Sequence, residues 1–258
     1  MDLQFTDTDS VLITGGSRGI GAAAAHAFAA EGVRRIHVVG RDADVLGELR
    51  AAIDAEVICH ALDLSQPTDR AELADTLAEV DILVNNAGAI PQGGLQDADL
   101  IAWQRAWELK LWGYLELTQM AMTTMSARGS GVIVNVIGMS GERPDAGYLA
   151  GSMANSALMT FTRAVGSSSL DQGVRVVGIN PGPVRTERLL AALDVRARSE
   201  LGDPARWPEF IEHYPGRRMA EADEVADAIA FLASRRSGYT SGTIFTLDGG
   251  LAWKGRAL

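Results

Sequence analysis

Residues 11–21 read Val11-Leu12-Ile13-Thr14-Gly15-Gly16-Ser17-Arg18-Gly19-Ile20-Gly21, a short apolar run that leads directly into a glycine-rich turn. The alanine-rich stretch Ala22–Ala30 follows and predicts a helix. Glycines between a strand and a helix allow a tight turn and bring the backbone and the helix N-terminus close to a pyrophosphate. Ordinary turns also contain glycines, but the position directly after the first strand favours a dinucleotide site.

Outward from this turn, apolar runs alternate with helical patterns along the chain. The predicted strands are Val11–Thr14, Ile36–Val39, Val57–Cys59, Ile82–Val84, Val132–Val136, Val174–Ile179 and Thr243–Leu247. The predicted helices are Ala22–Ala30, Ala43–Ile53, Arg70–Glu79, Ala98–Ser126, Tyr148–Leu170 and Ala222–Ser234. Continuously apolar strands are typical of a parallel sheet that is buried on both faces. The alternation predicts an α/β protein with a single-domain Rossmann fold over residues 1–258: a doubly wound, seven-stranded parallel sheet with helices on both faces.

Residues 185–215 interrupt this alternation of strands and helices with charges and prolines, which is typical of a substrate loop or lid.

Composition excludes several functions. The chain has 258 residues and a formal net charge of −10, which argues against nucleic acid or an anionic membrane surface as a partner. Its single cysteine, Cys59, excludes an internal disulfide and fits a reducing compartment. Residues 1–10 carry no leader pattern, and no apolar run approaches the ~18 residues that span a bilayer. We therefore expect a cytoplasmic protein with no membrane contact. The four histidines follow no ligand spacing, so no metal is expected.

The end of the second predicted strand indicates which nucleotide fits. NAD sites usually place a carboxylate there for the ribose 2′-hydroxyl, whereas a 2′-phosphate requires a cation. This chain has Gly40 and then Arg41, and Arg18 in the glycine turn is a second cation for the same phosphate. The sequence therefore predicts NADP(H) in preference to NAD(H).

Five segments resemble the short-chain dehydrogenase/reductase family: Thr14–Gly21, Asp63–Leu64, Asn85–Gly88, Asn180–Thr186 and Tyr239–Gly250. They extend over nearly the whole chain. The resemblance implies a nicotinamide cofactor, a small-molecule substrate and a homo-oligomer, a tetramer or a dimer. Together with the charge argument for Arg18 and Arg41, it assigns cofactor contacts to Gly15, Ser17, Arg18, Gly19, Ile20, Gly21, Arg41, Asp63, Leu64, Asn86, Ala87, Gly88, Pro181, Gly182, Val184 and Thr186.

The catalytic positions of that family are altered. Its tyrosine position aligns with Gly151, and the lysine four residues later with Asn155. Its serine position aligns with Gly138, and its helix asparagine with Lys110. All four usual side chains are therefore absent.

Three hypotheses remain open. In the first, the site is rebuilt, and the chain is an oxidoreductase of the carbonyl reductase or alcohol dehydrogenase type. Tyr148 lies seven residues before Asn155, the spacing found in the enoyl-reductase branch of the same superfamily. Lys110 would then restore the missing positive charge and lower the pKa of Tyr148, while Ser140 or Ser152 supplies the hydroxyl.

In the second hypothesis the chain binds a nucleotide without redox chemistry, as a pseudoenzyme. In the third it is a lyase or isomerase that uses Glu142 or Asp145 as base.

Two groups of aromatic residues bear on the substrate and on assembly. Trp207, Phe210 and Tyr214 in the predicted lid favour a small, fairly apolar substrate. The other group, Trp103, Trp107, Trp112 and Tyr114, lies on the predicted helix Ala98–Ser126 and favours contact between subunits.

Overall fold

Seven parallel strands run through residues 2–96 and 98–254, the part of the chain that a computed structural model describes. They are β1 (Ser10–Thr14), β2 (Arg35–Gly40), β3 (Glu56–Ala61), β4 (Ile82–Asn85), β5 (Gly131–Val136), β6 (Val174–Pro181) and β7 (Ile244–Leu247). They form one sheet in the order β3-β2-β1-β4-β5-β6-β7, and neighbours pair in parallel. The predicted doubly wound sheet is confirmed. The order reverses between β1 and β4, the kind of crevice in which α/β proteins bind ligands.

The helices are α1 (Gly19–Ala30), α2 (Ala43–Ala52), α3 (Pro67–Ala71), α4 (Ala74–Glu79), α5 (Leu100–Trp107), α6 (Gly113–Arg128), α7 (Leu149–Ser169), α8 (Glu187–Leu201) and α9 (Ala222–Ala233). Successive residues of β1 alternate between the two faces of the sheet. Val11 and Ile13 join the core beneath α1 and α9, whereas Leu12 joins the core beneath α4 and α6. Both faces are thus buried, which explains the continuous hydrophobicity of the strands.

The helix predicted over Ala98–Ser126 is interrupted by a π-helical segment, Glu108–Trp112, between α5 and α6. Fully buried Arg70 lies against this segment. Its guanidinium donates to the Glu108 carbonyl (3.2 Å) and forms ion pairs with the Glu108 (3.3 Å) and Glu116 (2.5 Å) carboxylates. Arg70 reaches this helix from α3, so the interruption coincides with a contact that is distant in sequence. The predicted helix Arg70–Glu79 is likewise divided, into α3 and α4.

Residues 185–215, predicted as a loop, contain α8 and a 3₁₀ segment, Pro204–Ile211. The Thr186 hydroxyl caps α8 by accepting from the Leu189 amide (3.3 Å). The segment buries its own cluster around Leu193 and Ile211. Trp207, Phe210 and Tyr214 pack against that cluster. The prolines and charges of residues 185–215 therefore belong to helical structure with its own small core.

The aromatic residues expected to form one face along α5, the π-helical segment and α6 are divided between the interior and the surface. Trp103 and Tyr114 are buried within the subunit, and the Trp107 indole donates to the Ala150 carbonyl (3.1 Å). Trp112, 49% exposed, remains accessible for contact with another subunit.

Within the described residues, none of the helices has both the length and the apolar character needed to cross a bilayer. Three or more His, Cys, Asp or Glu side chains do not gather into a metal-binding group anywhere in the same residues.

Candidate active site

The glycine turn after β1 is locked to the segment after β4. The Asn86 side-chain amide donates to the carbonyls of Thr14 (3.0 Å) and Gly15 (3.1 Å), and the Thr14 hydroxyl accepts from the Asn86 and Ala87 amides. A Cβ on Gly21 would lie 2.2 Å from the Gly15 oxygen, and Gly15 has a φ of +62°. Only glycines fit here, so the backbone of the turn is held open toward the crevice.

The start of α1 fits a pyrophosphate. Arg18 occupies the N-cap of α1 and makes no side-chain capping bond, so its side chain does not occupy the first-turn amides. Such amides and the helix dipole bind phosphate oxygens. A Cβ on Gly19 would lie 3.1 Å from the Thr186 methyl group, and this glycine keeps the approach to the amides open.

A cavity of about 1660 Å³ extends from this turn across the carboxyl ends of the strands. One small ligand usually occupies ~300–1,000 Å³, so the cavity has room for a nucleotide and a second molecule. All four catalytic candidates line it, Tyr148, Lys110, Ser140 and Asn155. The predicted cofactor residues that also line it are Gly15, Arg18, Gly19, Ile20, Arg41, Asn86, Ala87, Gly88, Pro181, Gly182, Val184 and Thr186.

Four predicted cofactor residues are not part of the wall that the described residues form around this cavity. Gly21 supports the turn from below, and Ser17 packs beside Gly40, where a Cβ would lie 3.1 Å from its hydroxyl. Leu64 is buried in the core. The carboxylate of Asp63 accepts from the Ser65 amide at 3.0 Å.

Tyr148, at the N-cap of α7, lies directly over Gly151. A Cβ on Gly151 would be 2.0, 2.2 and 2.6 Å from Cε1, Cζ and Cδ1 of the Tyr148 ring. The phenol therefore fills the space into which a side chain at position 151 would project. Among the described residues, no side chain hydrogen-bonds the Tyr148 hydroxyl, so it is available to a ligand in the cavity.

Lys110 does not act on Tyr148 as the sequence suggested. Its ammonium, in the π-helical segment, donates to the Tyr114 hydroxyl (2.9 Å) and to the Val136 carbonyl (2.7 Å). Burial lowers the pKa of Lys110 to about 7, with a smaller contribution from Arg188. Burial also raises the pKa of Tyr148, and the only charge that opposes this effect is that of Arg188. The expected lowering by Lys110 is therefore not present.

Arg188 is the functional candidate that the sequence analysis missed. It lies in the first turn of α8, lines the cavity and donates to the Gly88 carbonyl at 2.8 Å. Its charge lowers the pKa values of Lys110, Tyr114 and Tyr148. Its position two residues after Thr186 was the available signal.

Asn155 and Ser140 form a second polar wall. The Asn155 amide nitrogen donates to the Ser140 hydroxyl (2.8 Å), while its oxygen is buried and, within the described residues, has no hydrogen-bond donor. That oxygen fits a ribose hydroxyl, so the residues present suit a nicotinamide nucleotide. A Cβ on Gly138 would lie 2.9 Å from the Asn155 nitrogen, so this glycine makes room for the asparagine amide.

The remaining candidates make contacts within the protein. The hydroxyl of buried Ser152 accepts from the Asp145 amide (2.9 Å), and the Asp145 carboxylate accepts from the Gly147 amide (2.8 Å). The Glu142 carboxylate accepts from the Thr246 hydroxyl (2.7 Å). Asp145 lines the cavity, so it is the better placed of the two carboxylates proposed as a base.

The parallel sheet, the glycine turn and the crevice at the strand ends define a protein of the Rossmann class. A family model described as "Enoyl-(Acyl carrier protein) reductase" matches residues 15–252. The galactitol 2-dehydrogenase (L-tagatose-forming) of Cereibacter sphaeroides is 34% identical over 247 residues, 92% of either chain. The chain belongs to the short-chain dehydrogenase/reductase family.

Solved structures agree with this assignment. The L-sorbose reductase of Gluconobacter frateurii, complexed with NADPH and L-sorbose, superimposes with a TM-score of 0.89 at 29% identity, over 98% of this chain and 100% of the other. A 7α-hydroxysteroid dehydrogenase complexed with NADH and 7-oxo glycochenodeoxycholic acid gives a TM-score of 0.84 at 26% identity, over 96% of both chains. These relatives are oxidoreductases that differ in the nicotinamide nucleotide they hold.

Proposed function

We propose that this protein is an NADPH-dependent reductase of small carbonyl compounds, with Tyr148 as proton donor. The observation that carries the proposal is the position of the Tyr148 ring over Gly151. The family's tyrosine position has lost its side chain, and a phenol from the start of the same helix occupies the vacated space. The functional group is thus kept although its sequence position has changed.

The cofactor preference is supported by charge. Arg18 and Arg41 both line the cavity, and Gly40 offers no carboxylate to repel a 2′-phosphate. Arg18 now pairs with the Glu187 carboxylate at 3.2 Å, with both side chains largely exposed. Exposed ion pairs of this kind are weak, so Arg18 can exchange this partner for a phosphate.

When bound, NADPH supplies a hydride for the carbonyl carbon. The residues of the chain then have to stabilise and protonate the developing alkoxide. Because the pKa of Tyr148 is raised, its phenol remains protonated throughout the neutral range and is ready to donate. The charge of Arg188, which lowers the pKa of Tyr148, would stabilise the phenolate that remains, the part that a lysine plays in the rest of the family.

The raised pKa of Tyr148 bears on the pH dependence of the two directions. Oxidation of an alcohol requires Tyr148 as a base, and a raised pKa makes the phenolate rare near neutrality. We therefore expect oxidation to need a more alkaline pH than reduction. Asn155 would accept from a ribose hydroxyl. Lys110 binds the carbonyl of Val136, which lines the cavity, and the hydroxyl of the buried Tyr114.

The test is a fluorescence titration with NADPH and NADH, followed by NADPH consumption at 340 nm with a panel of ketones and aldehydes. Micromolar NADPH binding, much weaker NADH binding and carbonyl-dependent oxidation are expected. Binding without consumption by any carbonyl would favour the pseudoenzyme. Substrate turnover without any change in nicotinamide absorbance would favour a lyase or isomerase. Lack of binding at millimolar concentrations of either nucleotide would exclude the proposal.

We also propose a homo-oligomer. Its support is the family relationship together with the exposed Trp112 at the end of the π-helical segment. Light scattering on the eluted protein distinguishes a tetramer or dimer from a monomer.

A further inference from the structure

Two cations face the cavity from its outer wall. The Arg143 guanidinium donates to the Leu251 carbonyl at 2.7 Å, and the Lys254 ammonium donates to the His213 carbonyl at 2.6 Å. The backbone amide of Lys254 reaches the same Leu251 carbonyl at 3.3 Å. All four residues line the cavity: Arg143 is anchored to the turn that leads into Lys254, and the Lys254 side chain is anchored to His213.

These cations have no carboxylate partner among the described residues. Arg18, at the nucleotide end, is paired with Glu187, whereas Arg143 and Lys254 bond only to backbone oxygens. Each keeps further N–H groups that can donate to a ligand. The whole chain has a net charge of −10, so two cations without a carboxylate partner in this cavity stand in contrast to the acidic character of the protein as a whole.

The use of lysine supports the same conclusion. Among the 23 basic residues only Lys110 and Lys254 are lysines, and both line this cavity. Elsewhere the chain uses arginine. Lysine differs by being a compact charge on a flexible stem, which suits a ligand that moves in and out of a site.

We propose that the substrate carries a carboxylate, which Arg143 and Lys254 hold while its carbonyl group faces Tyr148. The proposal rests on the proposed reductase function and specifies its substrate class as an oxo acid. The body of such a molecule would lie along the apolar side chains of Ile90 and Leu189, which line the same cavity. The carboxylate of Asp145 in this wall disfavours a dianion, so a monoanionic carboxylate fits better than a phosphate monoester.

The test uses 4-oxopentanoate and its uncharged match, 4-oxopentanamide, titrated calorimetrically at low salt, with and without NADPH. We expect the acid to bind about tenfold or more tightly than the amide, and this preference to weaken as salt rises. In the double variant Arg143→Gln with Lys254→Met, acid and amide should bind within about twofold of each other. The control is Arg50→Gln, an exposed arginine at the end of α2, which should retain the preference.

Several outcomes would overturn the subsite: equal binding of acid and amide, a preference that survives the double variant, or failure of both probes to bind at millimolar concentrations. Inorganic phosphate that binds more tightly than the acid, and is lost in the same variant, would assign the cations to a phosphate instead. NADPH consumption in the same samples separates the two proposals. Acid that binds without being reduced supports the carboxylate subsite and contradicts the reductase activity. Equally efficient reduction of acid and amide supports the reductase activity and contradicts the subsite.

Discussion

Replacement of Gly151 by alanine tests whether the space above this residue positions Tyr148. The added Cβ would lie 2.0–2.6 Å from three carbons of the Tyr148 ring, well inside van der Waals contact. The ring therefore has to move, or α7 has to shift. Either change carries the phenol away from its present place in the cavity.

Two opposing effects determine the stability of this variant. Replacing a helical glycine by alanine stabilises a helix by ~0.5–1 kcal/mol. Crowding a packed site costs ~1–3 kcal/mol when the neighbours stay in place. The net change in the free energy of unfolding is thus a loss of about 0–2.5 kcal/mol, and a small gain if the ring swings out. Turnover should fall about a hundredfold in both cases, because a proton donor displaced by ~1 Å loses most of its effect.

The assay combines chemical denaturation with NADPH consumption on the best carbonyl substrate. Gly47→Ala is the matched control, since Gly47 lies in α2 and a Cβ there would meet nothing within 4 Å. It should be slightly stabilised and fully active. A Gly151→Ala protein with the turnover of the wild type would refute the inference that the ring must stay where it is.

Three further predictions concern the charged residues of the cavity. Arg41→Gln should weaken NADPH binding about tenfold or more and leave NADH binding within about twofold, as measured by fluorescence titration. Arg18→Gln should act in the same direction. Equal losses for both nucleotides would contradict the assignment of these arginines to the 2′-phosphate. Arg188→Gln should move the alkaline fall of the reduction rate to higher pH, because Arg188 lowers the pKa of Tyr148; an unchanged pH profile would argue against a contact between their charges. The pKa of Lys110 is lowered from 10.5 to about 7 in the folded protein, so the unfolded chain binds the extra proton between these values. Stability of the wild type relative to Lys110→Met should therefore rise with pH, by about 2 kcal/mol between pH 7 and 9, in denaturant titrations. Parallel curves would show that the pKa of Lys110 is the same in the folded and unfolded protein.

The strands were predictable because burial on both faces leaves a simple pattern. Ile82–Val84, for example, is continuously apolar and lies entirely within β4. The glycine turn was equally readable, since Gly15 and Gly21 occupy places that a side chain would block. These features depend on local sequence and on close packing.

The π-helical segment could not be predicted in the same way. It coincides with the contact of the buried Arg70, which approaches the Glu108 carbonyl from another helix. No pattern within Ala98–Ser126 reports a partner that is so distant in sequence.

The electrostatics of the site were only partly readable. The Lys110–Tyr114 bond spans four residues, a spacing at which helical side chains meet, and was open to prediction. The contribution of Arg188 was not, because the charges and prolines of residues 185–215 predict a loop where the structure has α8. Its side chain reaches the site only through the packing of that helix over the cavity.

The most direct test of the account is the Tyr148→Phe protein. The change removes one hydroxyl and keeps the ring over Gly151, so the fold and the nucleotide end remain as they are. We predict NADPH affinity within about twofold of the wild type and carbonyl reduction lowered about 10²–10⁴-fold, the usual contribution of a general acid. Full turnover in this variant, with NADPH binding intact, would contradict the claim that Tyr148 has replaced the missing tyrosine.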